Sequence, residues 1–324
     1  MILKHGGTDI SNLVTRITWS GNRLQVARKL EFTYIFEPRD ANIPVHIVNL
    51  GETVQGFTSV VDTVPVFQGN VYNIERNTQS STITVTAYDN LFILSKSKTT
   101  KKYTDMTAED ITRSVCAEMG IKVGNLAVTG QKMTFIAQEK TGYQIIMMAY
   151  TQASKKTGKK YHPVMNVDSL DVIEKGTLLD FTASQYVNEE NSTYKESIEN
   201  MVNRVMITDE QGNFIGYQGN EDWMKKYSMI QSVYKKSPNR NTDEEVKTML
   251  KGVERSGTIE LLGDYTVKSS YSIKIDDLIT NLTGQFYVKS DTHEFENGIH
   301  TMRLEIEFEN MMNEVETSDT NSKG

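Results

Sequence analysis

The sequence predicts an α+β fold that is mainly β: two similar tube-like β-barrel or sandwich domains with a small α+β domain between them. Three observations predict it. Residues 283–308 read TGQFYVKSDTHEFENGIHTMRLEIEF, with Asn297-Gly298 between two strand-like runs; Asn-Gly is the strongest short-range signal of a two-residue hairpin. Residues 66–88 have a similar outline, and the stretch between these blocks changes to helical periodicity with capping residues.

Taken in order, strands are expected at Leu13–Trp19, Leu30–Phe36, Val45–Leu50, Val66–Arg76 and Thr82–Tyr88, separated by Gly, Asn, Asp and Pro. In the last, Ile83, Val85 and Ala87 alternate with threonines, as on a half-buried strand. The lysine-rich run Lys96–Lys102 reads as a solvated linker. Thr107 and Asp110 then open a helix with Ile111, Val115 and Met119 on one face and Gly120 as its stop. Thr141 and Gln144 form a full capping box before a second helix, whose Lys155 and Lys156 suit the negative C-terminal end before Gly158. Tyr161–Val167 and Leu170–Glu174 follow as a hairpin.

From Leu178 the β texture returns, interrupted by a helix expected at Thr242–Lys251. The predicted domains are residues 1–96 (first tube-like β domain), 97–175 (α+β) and 176–312 (second tube-like β domain, with a helical or loop excursion around 219–256). Residues 313–324 are polar and read as a mobile tail. In the two β blocks Gly69 and Gly284 each break the start of a strand, where a bulge or close backbone approach is expected. Met302, Leu304, Ile306 and Phe308 alternate with charged residues in the final strand and define its buried face.

Composition narrows the function. The chain has 324 residues, 38% of them hydrophobic and 24% charged, which fits a globular protein rather than a disordered one. Its formal charge of −7 argues against nonspecific nucleic-acid binding, which needs a basic face. A single cysteine, Cys116, excludes an intrachain disulfide framework. The start MILKHGGTDI lacks the apolar core of a signal peptide, and no apolar run approaches the ~20 residues that span a bilayer.

Chemistry is sparse. His293 and His300 fall on one face of the final hairpin, with Asp291 as a third metal-ligand candidate, but that face also carries the apolar series and favours local hydrogen bonding. Cys116 could be a nucleophile, yet lies beside a helix's apolar stripe, where a packed thiol is the simpler reading. Glu189-Glu190, Asp276-Asp277 and Glu307 could supply a glycosidase carboxylate pair, although adjacent carboxylates usually mark a solvated edge. Lys155–Lys160 lacks the first glycine of a phosphate loop, since Ala153 stands there.

The segments Tyr88-Asp89-Asn90-Leu91 with Leu94, Met106-Thr107-Ala108-Glu109 leading to Met119-Gly120-Ile121, and Lys156–Tyr161 carry a resemblance. So do Ser197–Val205 and Gly284–Asp291 followed by His293, Gly298, His300 and Met302. In their order and spacing the chain resembles the baseplate hub proteins of contractile phage tails and related injection particles, the XkdQ-like and late-control-D groups, over roughly Leu30 to Phe308. It departs at Lys268-Ser269-Ser270, where such proteins usually place a glycine. The resemblance implies a homotrimer whose doubled tube-like domains form a pseudo-hexameric ring between the six-fold tail tube and the three-fold spike. Tail tube protein, spike protein and other baseplate proteins would be partners, with the tape-measure protein a further candidate. It implies no enzyme activity, cofactor or membrane insertion, and a protein made in the host cytoplasm that ends in a phage tail or tail-like particle. A peptidoglycan-binding or cell-wall hydrolase protein is the alternative, because the α+β segment loosely resembles LysM-type binders.

Overall fold

The computed structural model describes residues 1–238 and 240–317. Strand accounts for 49% of the described residues and helix for 16%, so the fold is mainly β, as the alternating patterns predict. The chain divides into two compact units: Met1–Ser192 together with the chain from Thr258 onward, and Thr193–Gly257.

The smaller unit has a three-stranded sheet in which Arg204–Thr208 lies between Phe214–Gly219 (antiparallel) and Gln231–Lys235 (parallel). Val205 and Ile207 of the central strand pack with Val246 from the helix Thr242–Met249. That helix is capped by Asn241, whose side chain accepts from Asp243 N at 3.1 Å, so Thr242 is its first residue and not its cap.

In the larger unit, helices Ala108–Met119 and Gly142–Thr157 form one core with Leu91, Leu94, Tyr103, Phe135, Tyr161 and Val172. Thr141 and Gln144 make the full reciprocal cap, whereas Thr107 accepts only from Asp110 N. The expected lysine-rich linker is instead the start of a strand, Lys98–Thr107, paired with Lys132–Thr141 in a two-stranded ribbon. Tyr103, the one buried residue of this strand, faces Phe135 on the packed side, and the alternation of buried residues belongs to its partner Lys132–Thr141, so the strand's own sequence carries little period-two signal. Asn313 bonds the Tyr143 hydroxyl at 3.2 Å and Val315 N bonds Thr151 Oγ1 at 3.0 Å, so residues 313–317 of the expected tail lie along the second helix. Residues 318–324 of that tail lie outside the described residues.

A 13-stranded sheet carries most of the remaining chain. Strands Lys29–Ile35, Thr53–Phe57, Phe67–Asn77 and Thr82–Tyr88 lie side by side in the order first, fourth, third, second. Strands Glu254–Leu262, Ser272–Asp277, Leu282–Glu296 and Ile299–Glu307 lie in the same order. In each block a further strand, Val14–Asn22 or Glu189–Ser197, flanks the first of the four. Val45–Leu50, expected as a strand, is irregular: Val48 is buried, Val45, Ile47 and Leu50 are exposed, and Thr53–Phe57 takes the place beside Phe67–Asn77.

The final hairpin has the expected register, with Glu296 opposite Ile299, Phe295 opposite His300 and His293 opposite Met302. Asn297 and Gly298 have φ of 53° and 78°, the left-handed pair that a two-residue turn requires. Gly298→Val, which forces a β-branched residue into that region, should lower unfolding free energy by about 1–3 kcal/mol in urea titration. Met302, Leu304 and Ile306 are buried and Phe308 is partly so. A bulge between Val288 and Ser290 shifts the ladder, and beside Ile306 the carboxylate of Glu307 is buried too. Gly69 is a close-approach glycine, since a Cβ there would meet the Tyr88 carbonyl at 2.5 Å; Gly284 instead has φ of 122° in open space.

Candidate functional site

The residues singled out as ligand candidates lie where the two β blocks join. Strand Leu282–Glu296 pairs by its first half with Ser272–Asp277 and by its second, Ser290–Glu296, with Arg16–Asn22 of the first block. Asp291, on that second half, is fully buried and opposite Gly21. Gly21 leaves the room in which Arg28 sits, because a Cβ there would fall 2.3 Å from Arg28 Nη1. The Arg28 guanidinium grips Asp291 through both nitrogens, Nη1 to Oδ1 at 3.0 Å and Nη2 to Oδ2, and Ser269 N donates to Oδ1 at 2.6 Å. Arg28 also lies 4.3 Å from the centre of the buried Trp19 ring. Burial alone would raise the Asp291 carboxyl, but the Arg28 guanidinium and His293 together outweigh it and hold the group well below the usual carboxylate range.

His293 and His300 are hydrogen-bonded to each other, Nδ1 to Nε2 at 3.0 Å, and the remaining His293 nitrogen lies 3.0 Å from the Val267 carbonyl. Burial, then His293, pushes His300 down to about 4. With Asp291 spent on Arg28, these three ligand candidates are committed to one another and to backbone. Among the described residues no group of three or more His, Cys, Asp or Glu side chains is placed to hold a metal ion.

A second buried charge cluster ties the blocks further along. Glu307 accepts from Arg23 Nε at 2.7 Å and from Lys175 Nζ at 3.5 Å, and all three side chains are almost wholly buried. Beside Arg28 is a polar cavity of about 220 Å³, bordered also by Asn22, His162, Asp171 and Lys268. Burial holds His162 down to about 3 and Lys268 down to about 8. Next to it, Ser270 has φ of 77° and is buried with its hydroxyl unpartnered. This is the segment where the sequence departs from the expected glycine. Ser270→Gly should therefore stabilise the protein by about 1 kcal/mol, seen as a higher urea midpoint.

Three of the other chemical candidates, Cys116, Asp277 and Glu307, are buried within the fold. Cys116 is fully buried and its thiol is pushed up to about 11, the opposite of an activated nucleophile. Asp277 accepts from Ile279 N at 2.8 Å and from the Ser192 and Thr280 hydroxyls, and Glu307 is held between two cations. The arrangement is a set of buried joints between the two β blocks. Arg23 and Arg28, which make those joints, are the residues that sequence reasoning missed: both lie in an unremarkable polar stretch, and their partners are 284 and 263 residues away.

Residues 17–307 match the family model described as YqbQ-like. The chain belongs to the YqbQ-like family. Protein XkdQ of the phage-like element PBSX from Bacillus subtilis is 23% identical over 320 residues, covering 92% of this chain and 93% of XkdQ. Among solved structures, the 43 kDa tail protein of prophage MuSo2 from Shewanella oneidensis matches with a TM-score of 0.67 at 13% identity, over 94% of this chain and 97% of that one. The c3393 protein of E. coli, described as a component of the type VI secretion system similar to T4 tail proteins gp27 and gp5, matches with a TM-score of 0.52 at 9% identity, over 94% of this chain and 76% of that one. The fold is that of phage tail proteins.

The segments that carried the resemblance to hub proteins prove to be backbone fixtures in this YqbQ-like chain. Asp89 accepts from Arg28 N at 3.1 Å and Leu91 N at 3.0 Å, opening the short helix Leu91–Lys96, and burial raises it to about 7. Gly120 and Gly158, at φ of 69° and 74°, end the two long helices. The buried Asn203 side chain bonds Ser228 O at 2.7 Å and Ile230 N at 2.8 Å.

Proposed function

We propose that this YqbQ-like protein is a structural baseplate hub of a contractile tail or tail-like injection particle, without a catalytic step. Three copies would form a pseudo-hexameric ring from their six β blocks, joining a six-fold tail tube to a three-fold spike, with other baseplate proteins around it. One observation carries this reading. The two blocks share a strand order and are already joined edge to edge by Ser290–Glu296 on Arg16–Asn22. Among the described residues the corresponding edges at the far ends carry no further ladder strand. Asn73–Asn77 has a ladder partner on one side only among the described residues, and Glu189–Ser197 ends the sheet.

An open edge is a template for another chain. Joining Asn73–Asn77 of one copy to Glu189–Ser197 of the next would repeat the internal junction in trans. Such a head-to-tail contact between different surfaces closes into a ring when the rotation permits. Obligate assemblies of this kind commonly bury more than ~2,000 Å² per contact. The reading is tested by the mass of the purified protein in solution, alone and mixed with the spike protein of the same particle. Three times the 36.7 kDa chain mass is expected in at least one of the two; a monomer in both would overturn it.

A further inference from the structure

The repeated strand order sets two turns in equivalent places: Thr58–Val66, between the second and third strands of the first block, and Leu278–Asn281, between the second and third of the other. Each presents a pair of adjacent aliphatic side chains to solvent. Val60 and Val61 are 67% and 82% exposed, and Leu278 and Ile279 are 66% and 88% exposed. Each is also held rigid by an aspartate. Asp62 accepts from Ser59 N at 2.9 Å and from the Thr58 hydroxyl. Asp277 accepts from Ile279 N at 2.8 Å and from the Thr280 hydroxyl. A local side-chain acceptor of this kind fixes turn geometry before any partner arrives.

We propose that these two turns are equivalent docking knobs for a six-fold ring, the tube end, whose sockets are apolar with a basic rim. The inference rests on the hub reading above. The junction the chain already contains argues against sideways contact between copies as the purpose of the knobs. Thr58 borders the cavity of about 400 Å³ under the Asn297-Gly298 hairpin, so the first turn stands at that junction, yet Val60 and Val61 stay in water. The same junction made between copies would leave Leu278 and Ile279 in water as well. Two knobs per chain and three chains give six, the number a hexagonal partner offers. Asp62 and Asp276 beside the knobs ask for cationic groups on the opposing rim. Rigid, exposed aliphatic pairs repeated at matching positions are what a docking hot spot needs.

The test uses the full chain and purified tube protein from the same particle, with binding followed by sedimentation. Val61→Asp and Ile279→Asp each change an exposed side chain and should leave the melting temperature and trimer mass unchanged. Each should weaken tube binding by about thirtyfold or more, and the double variant should abolish it. Wild-type binding that survives in the double variant would overturn the proposal and leave the hub reading standing. A double variant that no longer forms trimers would show sideways contacts and also overturn it. An effect from one turn alone would break the claimed equivalence. A trimeric wild type that does not bind tube would remove the hub reading and the proposal together.

Discussion

Asp291→Ala should lower the unfolding free energy by about 3–5 kcal/mol, because it leaves the Arg28 guanidinium buried at the block junction without its counter-charge. Urea unfolding of the purified variant measures this. Asp291→Asn, which keeps the shape and one acceptor but loses the charge, should fall in between. The wild type also carries a pH signature. The folded carboxyl titrates below its unfolded value, so its contribution is full above about pH 4 and is lost as pH falls below that. Asp291→Asn should flatten that acid limb. An Asp291→Ala protein as stable as wild type would mean that the junction does not depend on this pair.

Ile306→Asp should be worse still, at more than about 4 kcal/mol, and should leave little folded protein. Ile306 is buried opposite Val288, so the substitution removes apolar contact and places an unpaired carboxylate on the inner face. Glu305→Lys, one position away on the wet face, should cost under about 1 kcal/mol, because it breaks only exposed interactions, chiefly the pair with Lys289. Equal damage from the two would mean that the strand's faces are assigned the wrong way round.

The sequence was legible where one local rule decides the outcome. The Asn297-Gly298 turn, the Thr141 capping box and the Gly120 and Gly158 helix stops each depend on a backbone preference that a few residues express. It was less legible where pairing partners decide. Val45–Leu50 has strand composition but no ladder, whereas Lys98–Thr107 has linker composition and a full one. Ile2–His5 and Thr53–Phe57 were too short and too mixed to register, although each pairs well with the other. The charge clusters were invisible for a different reason. Arg23 and Arg28 look like surface residues until Glu307 and Asp291 arrive from the far end of the chain, and no local pattern encodes that meeting.

The measurement that bears most directly on the ring is an electron cryo-microscopy map of the protein assembled on tube and spike. Six β blocks from three copies should stand around one axis with near six-fold spacing, and Asn73–Asn77 of each copy should run antiparallel against Glu189–Ser197 of the next. A map in which those edges stay open, or in which the two blocks of a chain are not related by rotation about the ring axis, would contradict the account.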